Sequence, residues 1–396
     1  MRASQRIMIT WLPAILLFFA CLTANAQTLV YEGGEGIGEG KHIVFIANDH
    51  EYRSEQTCPA MAKIMAKRFG FRCTVLFGID ENGAIKAGGA AIPGMEALKD
   101  ADLLFFFTRF MKLPEEQVDL LVDYFERGGP AVGLRTSTHC FNKQKGKWAK
   151  LNFNYNGDDY RGGLGEQIFG NTWHKQRGQS HYGPNHKKAS LVTPVASAAK
   201  HPILSGVDSI HSWCGAYKSQ PPKESTPLVE AQVLKALAPG SESETEKEVV
   251  SAGWTRDFYV APSGTRKYAR TAYFSFGASE DLLDEDARRC LANACLWTIG
   301  MEDKIKPDLP VELVGPYAPT PYSFGAFFYE DVKPSDLASW YSQIMPAEKT
   351  LAGVKNSGKV KNAIAQRPQL KAKLAKLHPE LYGPDAEQPK EPKKKK

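Results

Sequence analysis

Four short, nearly continuous apolar runs constrain this fold most: His42 to Ala47, Cys73 to Phe77, Asp102 to Thr108 and Pro130 to Leu134. An apolar run without polar alternation suits a strand covered on both faces, the condition inside a parallel sheet. Helical stretches lie between the runs: Pro59 to Phe69, a shorter one near Pro93 to Leu98, and Pro114 to Arg127. The last opens on Pro114-Glu115-Glu116, aligns Val118, Leu121, Val122 and Phe125 on one face, and stops at Gly128-Gly129. Strand-helix alternation predicts an α/β fold with a doubly wound, mostly parallel sheet. Val229 to Leu237, Glu248 to Thr255 and Tyr268 to Phe276 continue the strands, and a helix from Asp284 to Ile299 ends at Gly300. Ligands of such sheets bind beyond the carboxyl ends of the strands.

The chain divides by composition. Arg2 and Arg6 precede an apolar run, Ile7 to Leu22, that stops at Ala24-Asn25-Ala26, so residues 1–26 read as a signal peptide cleaved before Gln27. Phe18-Phe19-Ala20-Cys21 is a poor lipoprotein site, because Phe18 stands where an aliphatic residue is usual. No later segment has an apolar run long enough to span a bilayer. Residues 41–300 form the main domain, 301–350 a Pro-rich extension, and 351–396 a basic tail expected to be disordered, at most a weak contact for an anionic surface. The net charge of +6 resides at the ends: without the two arginines of 1–26 and the tail's twelve cations and four acids, the body is at −4. That balance argues against a nucleic-acid partner. Six cysteines follow Gln27, scattered and without CxxC spacing, which favours buried free thiols.

The strand ends carry the chemistry-bearing residues: Asn48-Asp49-His50-Glu51-Tyr52-Arg53 after the first strand, Thr108-Arg109-Phe110 after the third, and Arg135-Thr136-Ser137-Thr138-His139-Cys140 after the fourth. HEYRSEQ, ADLLFFFTRFMKLPEEQ and GLRTSTHCF resemble the strand-end motifs of secreted ThuA-like (trehalose-utilisation) proteins, and HPILSGV, GAY and RRCLANACLWTIG continue the likeness. It covers residues 41–300 and reaches toward GPYAPTPYSFG. The resemblance implies a class I glutamine amidotransferase-like (flavodoxin-like) sheet and a link to carbohydrate metabolism. Amidotransferases present a Cys at a strand-to-helix elbow patterned G-x-C-x-G. Aligning Gly133 with the first Gly puts Arg135 at the Cys position and Ser137 at the second Gly. A guanidinium stays protonated and is no nucleophile, so glutamine hydrolysis is not expected. Cys140 lies beyond the elbow and is expected to pack.

Proton transfer falls to His50, Glu51 and His139, since imidazole titrates near neutrality and a carboxylate in a closed cleft is raised toward it. Asp49, Tyr52, Arg53, Arg109, Arg135, Thr136 and Thr138 are the expected ligand-binding groups, with Arg135 gripping a carboxylate, a phosphate or sugar hydroxyls through its planar fork. The structural alternative for Arg135 is an ion pair with Asp49 or Glu51. From Lys143 to Lys188 the apolar period gives way to Asn, Gly, His and aromatic residues, including Trp148, Phe153, Tyr155, Tyr160, Trp173 and Tyr182. This reads as a lid or pocket wall, adding Trp173, His174 and His181 to the binding set, the alternative being rings that pin the loop to the body. His174, His181 and His186 are spaced by seven and five, unlike any compact metal motif, so no metal or cofactor is assigned. A divalent ion with Asp49, His50 or His139 as further ligands remains the alternative.

Two function classes follow. In one, the exported protein acts on a carbohydrate-related small molecule as a hydrolase or an isomerase/lyase. In the other, the same pocket recognises a sugar or its derivative without turnover, and a metal-dependent hydrolase is a further alternative.

Overall fold

The computed structural model describes residues 27–176, 178–182, 188–322, 327–344, 364, 367–377 and 379. The expected signal peptide, His186 and much of the basic tail lie outside them.

The first strands form where expected: β1 (Leu29–Tyr31), β2 (His42–Asn48), β3 (Arg72–Phe77), β4 (Leu103–Thr108) and β5 (Ala131–Leu134). Further along run β7 (Ser190–Pro194), β8 (Ile210–Ser212), β10 (Thr226–Val233), β11 (Val250–Arg256) and β14 (Thr271–Phe274). Two small ribbons pair β6 (Ser180–His181) with β9 (Tyr217–Lys218), and β12 (Tyr259–Val260) with β13 (Arg266–Lys267). The main sheet has ten strands in the order β1-β3-β2-β4-β5-β14-β11-β10-β7-β8. Its middle, β3-β2-β4-β5-β14, is parallel throughout. β1 adds antiparallel at one side, and β11, β10, β7 and β8 extend the other side antiparallel.

Helices cover both faces, as the alternation predicts. Ile43, Phe45 and Ala47 of β2 join the core under α1 (Ser54–Phe69) and α4 (Glu285–Thr298), while Val44 and Ile46 face the core of α2 (Glu115–Glu126) and α3 (Gly163–Phe169). This is the two-residue alternation of a strand buried on both sides. No helix among the described residues is long and apolar enough to cross a membrane.

One expectation is corrected. α1 starts at Ser54, so Pro59 sits inside the helix instead of opening it. A proline lacks the N–H that would bond the carbonyl four residues earlier. Tyr329 Oη supplies that donor to the Glu55 carbonyl at 3.1 Å. The extension packs into the main core: Val311, Tyr322, Tyr329, Val332, Leu337 and Ile344 join the cluster of β2 and α1. The described piece of the tail holds a helix over Pro368–Leu377 with Leu374 buried. Arg367 anchors it through a two-pronged pair with buried Glu280, one prong at 2.6 Å, and the guanidinium lies over Trp213. Fork-on-fork pairing holds a guanidinium where a solvated tail would leave it.

Candidate functional site

The site is built from the carboxyl ends of β2, β4, β5 and β14. Asp49, directly after β2, organises the first loop. Its Oδ1 accepts from the backbone N–H of Glu51 at 2.7 Å and of Tyr52, and its Oδ2 accepts from Thr136 Oγ1 at 2.7 Å. Asp49 thereby ties the β2 loop to the β5 elbow, and it and Thr136 spend their polar atoms on that bond.

Glu51 is buried, 3% exposed, with Oε2 at 3.2 Å from Arg109 Nε. Burial pushes its carboxyl up to about 7; the Arg109 cation opposes this, Asp49 reinforces it, and Arg135 and the Tyr52 hydroxyl oppose it. Arg109 also donates through Nη1 to His50 Nε2 at 2.6 Å, and its guanidinium covers the Phe110 ring. A guanidinium can only donate, so His50 accepts and is neutral. Burial, with Arg109 adding to it against Asp49, holds the His50 pKa below its ordinary value. His50, Glu51 and Arg109 therefore form one linked group across two strand ends.

At the elbow, Arg135 has φ 43°, the left-handed turn that lets a strand break sharply. Its side chain folds inward. Nη1 donates to the carbonyls of Gly215, at 2.8 Å, and Ser275, and the guanidinium lies against the rings of Tyr52 (3.9 Å) and Tyr217 (4.7 Å), which meet edge to face. The expected pairing with Asp49 or Glu51 is replaced by backbone carbonyls and two aromatic faces. Thr138 donates to Gln179 Oε1 at 2.6 Å; Gln179 Nε2 reaches Tyr273 Oη, which donates to the Arg135 carbonyl at 2.7 Å. His139 is buried among the rings of Phe110, Trp173 and Tyr217. Burial and the cations Arg109 and Arg135 hold it neutral, well below the usual imidazole range. Gly165 of α3 lets the elbow pack closely, because a Cβ there would collide with the Thr138 backbone.

Among the described residues, buried Asn48 Oδ1, Glu51 Oε1, Thr108 Oγ1 and Arg135 Nε at these strand ends have no hydrogen-bond partner. Buried polar atoms are nearly always satisfied, so these atoms keep unused hydrogen-bonding capacity.

The remaining expected residues divide. Trp173 stands at the site, its ring 5.1 Å from those of His139 and Tyr217, and His181 caps its outer side. His174 is spent on a turn, accepting from the Gln176 N–H. Arg53 faces away from the strand ends into the extension, bonding the Pro321 carbonyl and covering Phe328. Of the loop aromatics, Phe153 joins Phe110 and His139, whereas Trp148 and Tyr160 pin the loop to Asp119 and the Val260 carbonyl. Among the described residues no three His, Cys, Asp or Glu are placed to hold a metal ion. The six cysteines after Gln27 are buried and unpaired, and burial pushes Cys140 up to about 12, far from a thiolate. Trp254 and Arg256 are structural, donating to the last carbonyls of α3.

Sequence reasoning does not single out Tyr217, Gln179, Tyr273 and Tyr322 as site residues. Tyr217 lies in GAY, Tyr322 in GPYAPTPYSFG and Gln179 in the stretch read as a pocket wall, but no local pattern marks these particular side chains.

No family model matches the chain, and no curated protein matches it. Among solved structures, a ThuA-like protein from Parabacteroides merdae is similar at 15% identity and a TM-score of 0.37, covering 67% of this chain and 91% of that one. The N-terminal domain of mmIFT52 follows at 10% identity and 0.34, covering 66% and 98%. The glutaminase domain of a Trypanosoma brucei CTPS with bound acivicin follows at 12% and 0.29, covering 69% and 97%.

Proposed function

We propose that this chain is an exported protein that binds a small polyhydroxylated, carbohydrate-related molecule over the carboxyl ends of β2, β4 and β5, with Glu51 moving a proton on it. The observation that carries this reading is the Glu51 carboxyl: buried, one oxygen on Arg109, Oε1 with no hydrogen-bond partner among the described residues, and a pKa of about 7. A carboxyl poised there both takes and returns a proton at neutral pH. Sugar hydroxyls donate and accept, so a ligand hydroxyl suits Glu51 Oε1. The rings of Trp173, Tyr217 and Phe110 offer faces for the apolar side of a sugar. Covalent catalysis at the elbow is not part of the proposal, since Arg135 holds that position and is bonded inward.

The test is calorimetric titration of the parent and Glu51→Gln with a series of neutral sugars and sugar acids, paired with NMR in deuterated water to follow exchange of carbon-bound hydrogens. Binding by both proteins and exchange by the parent alone is the expected result. Absence of binding across the series at about 10 mM, a concentration above ordinary substrate ranges, or exchange that survives in Glu51→Gln, would overturn the reading. Export is tested separately: the secreted form should begin at Gln27, and an intact amino terminus by mass spectrometry would refute it.

A further inference from the structure

The stretch that follows Glu51 is held almost residue by residue by the extension. Pro321 accepts from Arg53 Nε, and Gln56 and Thr320 exchange two bonds at 2.9 and 3.0 Å. The Glu55 carbonyl takes Tyr329 Oη, and Thr320 O and Tyr317 Oη bind Ser279, just past β14. Tyr322 lies flat on Tyr52, with ring centroids 5.2 Å apart and planes 21° from parallel. Arg135 lies over Tyr52 and also against Tyr217, which meets Tyr52 edge-on and whose ring borders His139 and Trp173. A connected set of contacts thus runs from the extension through the elbow to the aromatic wall: Tyr322, Tyr52, Arg135, Tyr217.

We propose that the extension is a working part of the site, and that Tyr322 is a positioning residue that sets Arg135 and Glu51 through Tyr52. This deepens the reading of Glu51 as the proton-transfer group. Two rings meeting edge to face hold the guanidinium in their corner, a contact worth more while it is dry. Tyr322 seals the outer side of Tyr52. Without it, water reaches Tyr52 and, behind it, the Glu51 carboxyl, whose other neighbours are Arg109, Asp49 and Arg135.

The experiment needs no ligand, so it fails or succeeds independently of the sugar titration. Full-length protein carrying carbon-13 at glutamate carboxyls is titrated by NMR, with the Glu51 signal assigned by its loss in Glu51→Gln. Tyr322→Phe, which keeps the ring, should titrate like the parent. Tyr322→Leu, which keeps apolar bulk and is expected to fold, and Tyr322→Ala should lower the Glu51 pKa by about one unit or more, toward its solvated value. A folded Tyr322→Leu protein with reduced melting temperature and an unchanged Glu51 titration would overturn the proposal, leaving Tyr322 a packing residue only. An equal shift in Tyr322→Phe would overturn it as well, because the ring would then not be the cause.

Discussion

Glu51→Gln separates the electrostatics of the site from its packing. The Glu51 carboxyl is raised from 4.5 to about 7, chiefly by burial. That difference corresponds to about 3 kcal/mol between the two protonation states. The sign follows from proton binding. Between about pH 4.5 and 7 the folded protein retains a proton that the unfolded chain has lost, so stability falls as pH rises through this window and levels off above it. The amide of the variant would carry no such charge. The stability of Glu51→Gln relative to the parent should therefore rise by about 3 kcal/mol between pH 4.5 and 8. The Arg109 pair acts on the ionised carboxylate and is already contained in this pKa. Glu55, also buried and raised to about 7, contributes equally to both proteins and cancels. Urea unfolding at several pH values reads the difference directly. Parallel curves for the two proteins would show that Glu51 titrates normally and would remove the basis for its proton-transfer role.

Three further outcomes follow from the same contacts. Arg135→Lys should cost on the order of 2 kcal/mol in urea unfolding, because an ammonium bonded to the Gly215 and Ser275 carbonyls leaves no planar guanidinium against the Tyr52 and Tyr217 rings; unchanged stability would refute the inward-bonded role. Arg367→Ala should cost about 3 kcal/mol or more by stranding buried Glu280, against less than about 1 kcal/mol for Arg72→Ala, whose pair with Glu32 is solvated; equal costs would show that the tail helix is not anchored there. Iodoacetamide should leave Cys140 unmodified in the native protein, its thiol pushed up to about 12 by burial, and rapid labelling detected by mass spectrometry would revive a thiol mechanism.

Much of the central sheet is legible in the chain because a strand covered on both faces must be apolar throughout, and β2 to β5 fall within two residues of the runs that announce them. β1, β7 and β8 escape such a reading: at three to five residues they are too short for any period to emerge. The start of α1 is obscured because Pro59 is a strong helix-start signal, and what permits it inside a helix is a tyrosine hydroxyl 274 positions from the carbonyl it bonds. α3 is hidden by its glycines, which serve close packing against the elbow.

The sequence by itself determined the α/β class, the parallel core, and the convergence of Asp49, His50, Glu51, Arg109, Arg135 and His139 on one sheet edge, because strand ends follow from strand positions. Only the tertiary structure decided what each residue does there. It gave Glu51 to Arg109, turned Arg135 inward against Tyr52 and Tyr217, left His50 an acceptor, and brought Tyr322 from the extension onto Tyr52. Such partnerships depend on burial and on side chains tens to hundreds of residues apart, and no local pattern in a chain encodes which distant group will neutralise a buried charge.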